Sequence, residues 1–60
     1  MITVNGVEKT LEKPLSVTEY LETNKYVPVQ VAIELNDKIL ARELYPTTIL
    51  KEGDIMEIVS

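Results

Sequence analysis

The segment KEGDIMEIVS (residues 51–60) decides the fold. Gly53 between Glu52 and Asp54 marks a turn, and an almost uninterrupted apolar run follows it. A strand with one solvated face alternates apolar and polar residues, whereas a nearly continuous apolar run belongs inside a sheet. The opening run "ITV" (residues 2–4) is likewise apolar at Ile2 and Val4. The first and last strands are therefore expected side by side and parallel at the centre of a sheet. Along the last one, Met56 and Ile58 share one face and Ile55, Glu57 and Val59 the other. Either Met56 and Ile58 face the core, the reading adopted for the site below, or the parity is reversed.

The rest of the chain supplies what such a centre needs. Asn5-Gly6 lies between two β-favouring runs, the signature of a two-residue hairpin whose central positions both take positive φ. Strands are predicted at residues 2–4 and 7–11. Pro14 holds the residue before it out of the helical region. Ser16 followed three positions later by Glu19 makes a capping box, and Leu15 and Tyr20 have the spacing of a hydrophobic staple. A helix of about two turns should start there, with Val17, Tyr20 and Leu21 on one face. It should stop near Asn24, which tolerates the left-handed conformation. From residue 29, Val29, Val31, Ile33 and Leu35 alternate with Gln30, Ala32 and Glu34, the period of a half-buried strand. Asn36-Asp37 reads as a turn and "KILA" as a short return strand. "RELYPTT" (residues 42–48) reads as irregular, and "TIL" as one more brief strand.

One helix and four or five strands in a single domain spanning residues 1–60 make an α+β layer. With the outer strands of the sequence paired at the centre, the architecture is a β-grasp, or ubiquitin-like, fold: a mixed sheet with one helix on one face. Sixty residues give a small core, and a chain of this size buries only about 60% of the surface its unfolded form exposes. Disulfide and zinc staples are ruled out, because the chain has neither Cys nor His.

The same absences narrow the chemistry. No Ser-His or Cys-His nucleophile pair can be built, so no catalytic residue, cofactor site or metal site is expected. Ser16 and Glu19 are accounted for by the helix cap. Glu52 and Asp54 flank a turn glycine and offer too few oxygens for a calcium loop of EF-hand type; Asp54 is read as capping the turn into the last strand. Tyr20, Tyr26 and Tyr45 lack the basic groove that a base-stacking platform requires and are read as core or rim residues with wet hydroxyls. A net charge of −4 disfavours nucleic acid and favours a basic protein surface as partner. No run is apolar for long enough to span a membrane, and the N-terminus has no signal-peptide pattern. A cytoplasmic, monomeric protein is expected. What remains as a site is the sheet face away from the helix, where Ala32, Ile55, Glu57 and Val59, with Thr3 beside them and Ser60 at the end, form a partly apolar docking surface.

Five stretches in order, "ITVNG", "LSVTEYLE", "VQVAIELND", "ARELYPTTILKEGD" and "IMEIVS", resemble the ThiS family of sulfur carriers in thiamine biosynthesis. "LARELY" stands where that family has "VPRxxW", with Arg42 retained. The resemblance implies a protein that is not itself an enzyme. Its partners would be an E1-like adenylating enzyme, which activates a C-terminal glycine carboxylate, and a thiazole synthase, which takes sulfur from the resulting thiocarboxylate. Family members continue past "EIVS" to a Gly-Gly end, often "FVGGG", and the sequence to Ser60 contains no such glycines. The 60-residue form is therefore expected to fold like a carrier but to offer no thiocarboxylate attachment residue. The molybdopterin synthase small subunit, usually longer, is the related alternative. A ubiquitin-like interaction module that transfers nothing is the alternative of a different class.

Overall fold

A computed structural model describes all residues, 1–60. Strand β1 (Ile2–Val4) turns into β2 (Val7–Lys9), helix α1 (Val17–Thr23) follows, then β3 (Ala32–Leu35), β4 (Lys38–Leu40) and β5 (Ile55–Val59). The strands form one sheet in the order β2-β1-β5-β3-β4. β1 and β5 pair in parallel at the centre, and every other pairing is antiparallel. This is the β-grasp arrangement that the two apolar runs imply.

Both hairpin turns need residues at positive φ and have them: Asn5 (φ 50) with Gly6 (φ 82), and Asn36 (φ 53) with Asp37 (φ 69). This is the type I′ geometry whose twist matches that of the strands. The two asparagines also act through their side chains. Ile58 N–H donates to Asn5 Oδ1 (2.6 Å), and Asn5 Nδ2 donates to the Ile58 carbonyl (3.2 Å). Ile55 N–H donates to Asn36 Oδ1 (2.9 Å), while Asn36 Nδ2 donates to Asp54 (3.0 Å). Each amide thus continues a ladder past the point where its own strand turns away.

Helix α1 starts as its capping box dictates. Glu19 N–H donates to Ser16 Oγ (3.0 Å), and Ser16 N–H donates to Glu19 Oε1 (2.8 Å). It ends at Thr23 with Asn24 as the C-cap, as expected, but the left-handed residue is not Asn24. Asn24 keeps φ −98 and the left-handed residue is Lys25 (φ 70). Lys25 N–H bonds the Glu22 carbonyl and Tyr26 N–H bonds the Leu21 carbonyl, which is the Schellman closure with Lys25 where glycine is usual. Asn24 instead folds its Nδ2 back onto the Tyr20 carbonyl (2.9 Å).

Three other expectations shift. β2 stops at Lys9 rather than residue 11. The strand expected from residue 29 begins at Ala32, because Pro28–Gln30 is a 3₁₀ turn with Val29 70% exposed. Pro28 occupies the first helical position, where its fixed φ suits a turn and its missing N–H costs nothing. The residues read as irregular include a 3₁₀ turn at Arg42–Leu44, and "TIL" contributes only a bridge between Ile49 and Ser16. That bridge, with Val17 N–H on the Thr48 carbonyl and Leu50 N–H on the Leu15 carbonyl, ties the long connection to the helix entry rather than to the sheet.

The core lies between α1 and one sheet face. Val17, Tyr20 and Leu21 from the helix meet Ile2, Val4, Ile33, Met56 and Ile58 from the strands, and Val31, Tyr45 and Leu50 complete the cluster. Tyr45 departs from its expected wet-hydroxyl role. It is buried, and its hydroxyl donates to the Val31 carbonyl (3.1 Å), which also accepts from Arg42 Nη2 (3.0 Å).

Asp54 is the other buried polar residue of note. It accepts from Lys51 N–H (2.9 Å), Lys51 Nζ (3.3 Å) and Asn36 Nδ2, closing the turn into β5. Burial pushes its carboxyl up, but the Asn36 and Lys51 hydrogen bonds and the Lys51 charge outweigh that, and the net shift is downward.

Two predictions follow from these anchors. Ser16→Ala removes the N-cap oxygen and should cost about 1 kcal/mol by urea denaturation. A carboxyl whose folded pKa is depressed adds stability that is present above the unfolded value of about 3.9 and is lost as the pH falls through the folded value. Asp54→Asn should therefore be less stable than wild type near neutrality, and the gap should narrow on acidification below about pH 4. A gap that stays constant across that window would rule out the carboxylate as its source.

Candidate functional site

One helix covers one face of a five-stranded sheet, so the opposite face has nothing over it. The strict alternation of β5, exposed-buried-exposed-buried-exposed from Ile55 to Val59, assigns each side chain to a face. Met56 and Ile58 enter the core, while Ile55 (51% exposed), Glu57 and Val59 (61%) point away. Register carries the assignment sideways. Ala32 lies opposite Val59 and Glu34 opposite Glu57 across the β3–β5 pair; Thr3 lies beside Ile55 across the β1–β5 pair. The structure thus gathers Ala32, Ile55, Glu57 and Val59 on the uncovered face. Ser60 follows directly after β5 and is exposed.

Two residues of this face are missing from the expectation. Ile39 is 83% exposed, more than any other large hydrophobic residue in the chain, and Glu34 stands beside it. A signal for both was available. A two-residue turn at Asn36-Asp37 forces Leu35 opposite Lys38, and Glu34 opposite Ile39 follows by counting back. Ala32, Glu34, Ile39, Glu57 and Val59 line a shallow groove along β3.

The rest of the surface offers no convergent chemistry. A second depression, between the 9–13 segment and α1, is lined by Lys9, Glu12, Lys13, Glu19 and Glu22 among others, charges of both signs with no shared focus. No three Asp or Glu side chains come together as a metal cluster. Burial, with the nearby Tyr26 adding to it, pushes the Tyr20 hydroxyl further above its ordinary range, away from acid–base work at neutral pH. Arg42 is spent on the Val31 carbonyl beside the Tyr45 hydroxyl, where it braces the start of β3.

Comparison with known proteins places this geometry. The sequence model described as the ThiS family matches residues 2–60. The crystal structure of a thiamine biosynthesis protein (ThiS) from Geobacter metallireducens superposes with a TM-score of 0.85 at 38% identity, over 97% of this chain and 88% of that one. The solution structure of a thiamine biosynthesis protein from the same organism gives 0.81 at 38% identity, over 97% and 78%. An uncharacterized protein, ycf40, of Pyropia yezoensis is 32% identical over 59 residues, 98% of this chain and 83% of that protein.

The facing of β5 has a direct test. Val59→Asp adds a charge to an exposed position and should change stability by no more than about 0.5 kcal/mol. Met56→Asp places the same group in the core and should prevent folding. Circular dichroism melts decide it: unfolding by Val59→Asp would reverse the faces.

Proposed function

The chain belongs to the ThiS family, and from that premise we propose that it is a sulfur carrier for thiamine thiazole synthesis, holding sulfur as a thiocarboxylate on a C-terminal glycine of the tail-bearing form. The observation that carries the reading is the match of the whole β-grasp, residues 2–60, to that family, together with a bare sheet face at the strand that leads to Ser60. A carrier needs no catalytic group of its own, and this chain has no His or Cys to supply one. It needs a rigid body that a partner can grip and an end that can enter the partner's active site.

The E1-like adenylating enzyme would grip the face of Ala32, Ile55, Glu57 and Val59, with Ser60 at its margin. The terminal carboxylate then attacks the α-phosphorus of ATP and pyrophosphate leaves. A sulfur donor displaces AMP from the acyl adenylate, and thiazole synthase consumes the thiocarboxylate. Glycines suit the tail because a narrow channel admits a backbone without Cβ atoms. This work takes place in the cytoplasm, with the carrier as a monomer.

The test uses a polypeptide of these 60 residues and two extended forms. Each extended residue spans about 3.3 to 3.6 Å, and reaction needs atoms within about 3.5 Å, so a carboxylate at Ser60 falls well short. With the adenylating enzyme, ATP and a sulfur source, the 60-residue form should keep its mass. Appending Phe-Val-Gly-Gly-Gly should give the shift of one oxygen replaced by sulfur, and Phe-Val-Ala-Ala-Ala should not. A shift on the 60-residue form, or none on the glycine form, would overturn the reading.

A further inference from the structure

At the middle of the uncovered face two carboxylates stand directly opposite each other. Glu34 of β3 and Glu57 of β5 are cross-strand partners, both exposed, and neither enters a hydrogen bond or an ion pair. The molecule's two ion pairs, Met1 with Glu52 and Lys51 with Asp54, lie elsewhere. Directly opposed side chains have Cβ atoms about 4.5 to 5.5 Å apart, and like charges at that spacing destabilise a sheet. The outward positions of the strands hold Glu8, Glu34 and Glu57 and no lysine or arginine, so nothing in the chain relieves the repulsion.

The frame around the pair is apolar. Ile39 adjoins Glu34 on the β4 side, and Ala32 and Val59 form the next outward row along β3 and β5. Ile55 is the outward residue on the other side of Glu57 along β5. A group filling this place must be cationic, must bond two carboxylates at once and must lie against aliphatic side chains. A guanidinium meets all three demands. It is planar, presents five N–H donors in a fixed fork, and is more weakly hydrated than an ammonium. Surrounding apolar contacts would exclude water from the charge pair, the arrangement that concentrates binding energy at the centre of an interface. The net charge of −4 adds long-range attraction to such a partner.

We propose that the protein partner docks on this face through an arginine projecting from an apolar surface, its guanidinium bridging Glu34 and Glu57. The proposal rests on the carrier reading above, because that reading supplies the partner. The pair then acts as a specificity device. It costs the free domain some stability, and a partner without the cation meets two unpaired carboxylates.

The experiment measures the dissociation constant of this chain with the E1-like adenylating enzyme by calorimetry across a salt series, alongside the urea midpoint of each variant. Glu34→Gln and Glu57→Gln should each weaken binding about tenfold and flatten its salt dependence, and each should raise the midpoint of the free chain. Glu57→Arg should raise it further, through a cross-strand pair with Glu34, and should abolish binding. A more stable domain that no longer docks cannot be explained by damage to the fold. Glu22→Gln, the same charge change on the helix side, should leave binding unchanged. Equal binding and salt dependence for wild type and the glutamine variants would overturn the arginine bridge while leaving the carrier reading intact. Unchanged midpoints would overturn it too, by removing the repulsion. If wild type fails to bind although its glycine-extended form acquires sulfur, docking through this face is refuted and the carrier reading stands.

Discussion

Everything in this domain depends on keeping β5 bonded along both edges. It is the central strand, yet neither neighbour is long enough to serve all of it: β1 ends at Val4 and β3 at Leu35. Left alone, the Ile58 backbone would lose its partners on the β1 side, and Ile55 N–H would lose its partner on the β3 side. The turn asparagines solve this on opposite edges. Asn5 bonds both the N–H and the carbonyl of Ile58, and Asn36 accepts from Ile55 N–H. For Ile58, a buried core residue, an unmade backbone hydrogen bond costs about 1 to 3 kcal/mol, a large share of what a domain this small can have. The exposed Ile55 N–H loses less, because water can replace Asn36. Asn at these positions therefore answers two demands at once: tolerance of positive φ and a side-chain amide of the right reach. Glycine would meet only the first.

Much of this architecture is legible from residue patterns, for identifiable reasons. Asn-Gly, the Ser16–Glu19 box and the apolar run after Gly53 are local signals whose physics acts within a few residues, and each stands where it was read. The misses have two origins, local competition that hydrophobic periodicity does not register and contacts between residues far apart in sequence. Val29 alternates correctly with Val31 and Ile33, but Pro28 favours a 3₁₀ turn and leaves Val29 in solvent. Lys25 takes the left-handed place that Asn24 would fill more cheaply, because Asn24 is engaged with the Tyr20 carbonyl. The amide clamps of Asn5 and Asn36 span 53 and 19 positions in sequence, and no local pattern encodes them. On the uncovered face, period-2 alternation sorts β5 into two sets and puts Glu34 with Ala32. Burial in the structure decides which set of β5 faces the core, and Ile39 emerges only once turn length is converted into register.

A single seven-residue helix can shield one face of the sheet and no more. The other face keeps Ile39, Ile55 and Val59 in solvent, which is a liability for a free monomer and an asset for one that spends its working life against a partner. The fold concentrates its resources accordingly. Its hydrogen-bonded clamps and buried aspartate all converge on β5, the strand that carries Glu57 and Val59 outward and leads to Ser60.

A carrier of this kind has to be recognised, held and released, and rigidity of the gripped strand matters more than depth of any pocket. A docking surface on a wobbling edge strand would spend binding energy on ordering itself. Under the docking proposed above, a surface centred on β5, pinned at Ile55 and Ile58 by side chains from both neighbouring turns, would carry little of that cost. The Glu34–Glu57 repulsion acts against the same strand pair, and it is tolerable because the amide clamps hold β5 independently of the outward side chains. Stability and recognition are thus assigned to different atoms of one strand: backbone and inward side chains maintain the fold, and outward side chains remain free to favour a partner over the solitary domain.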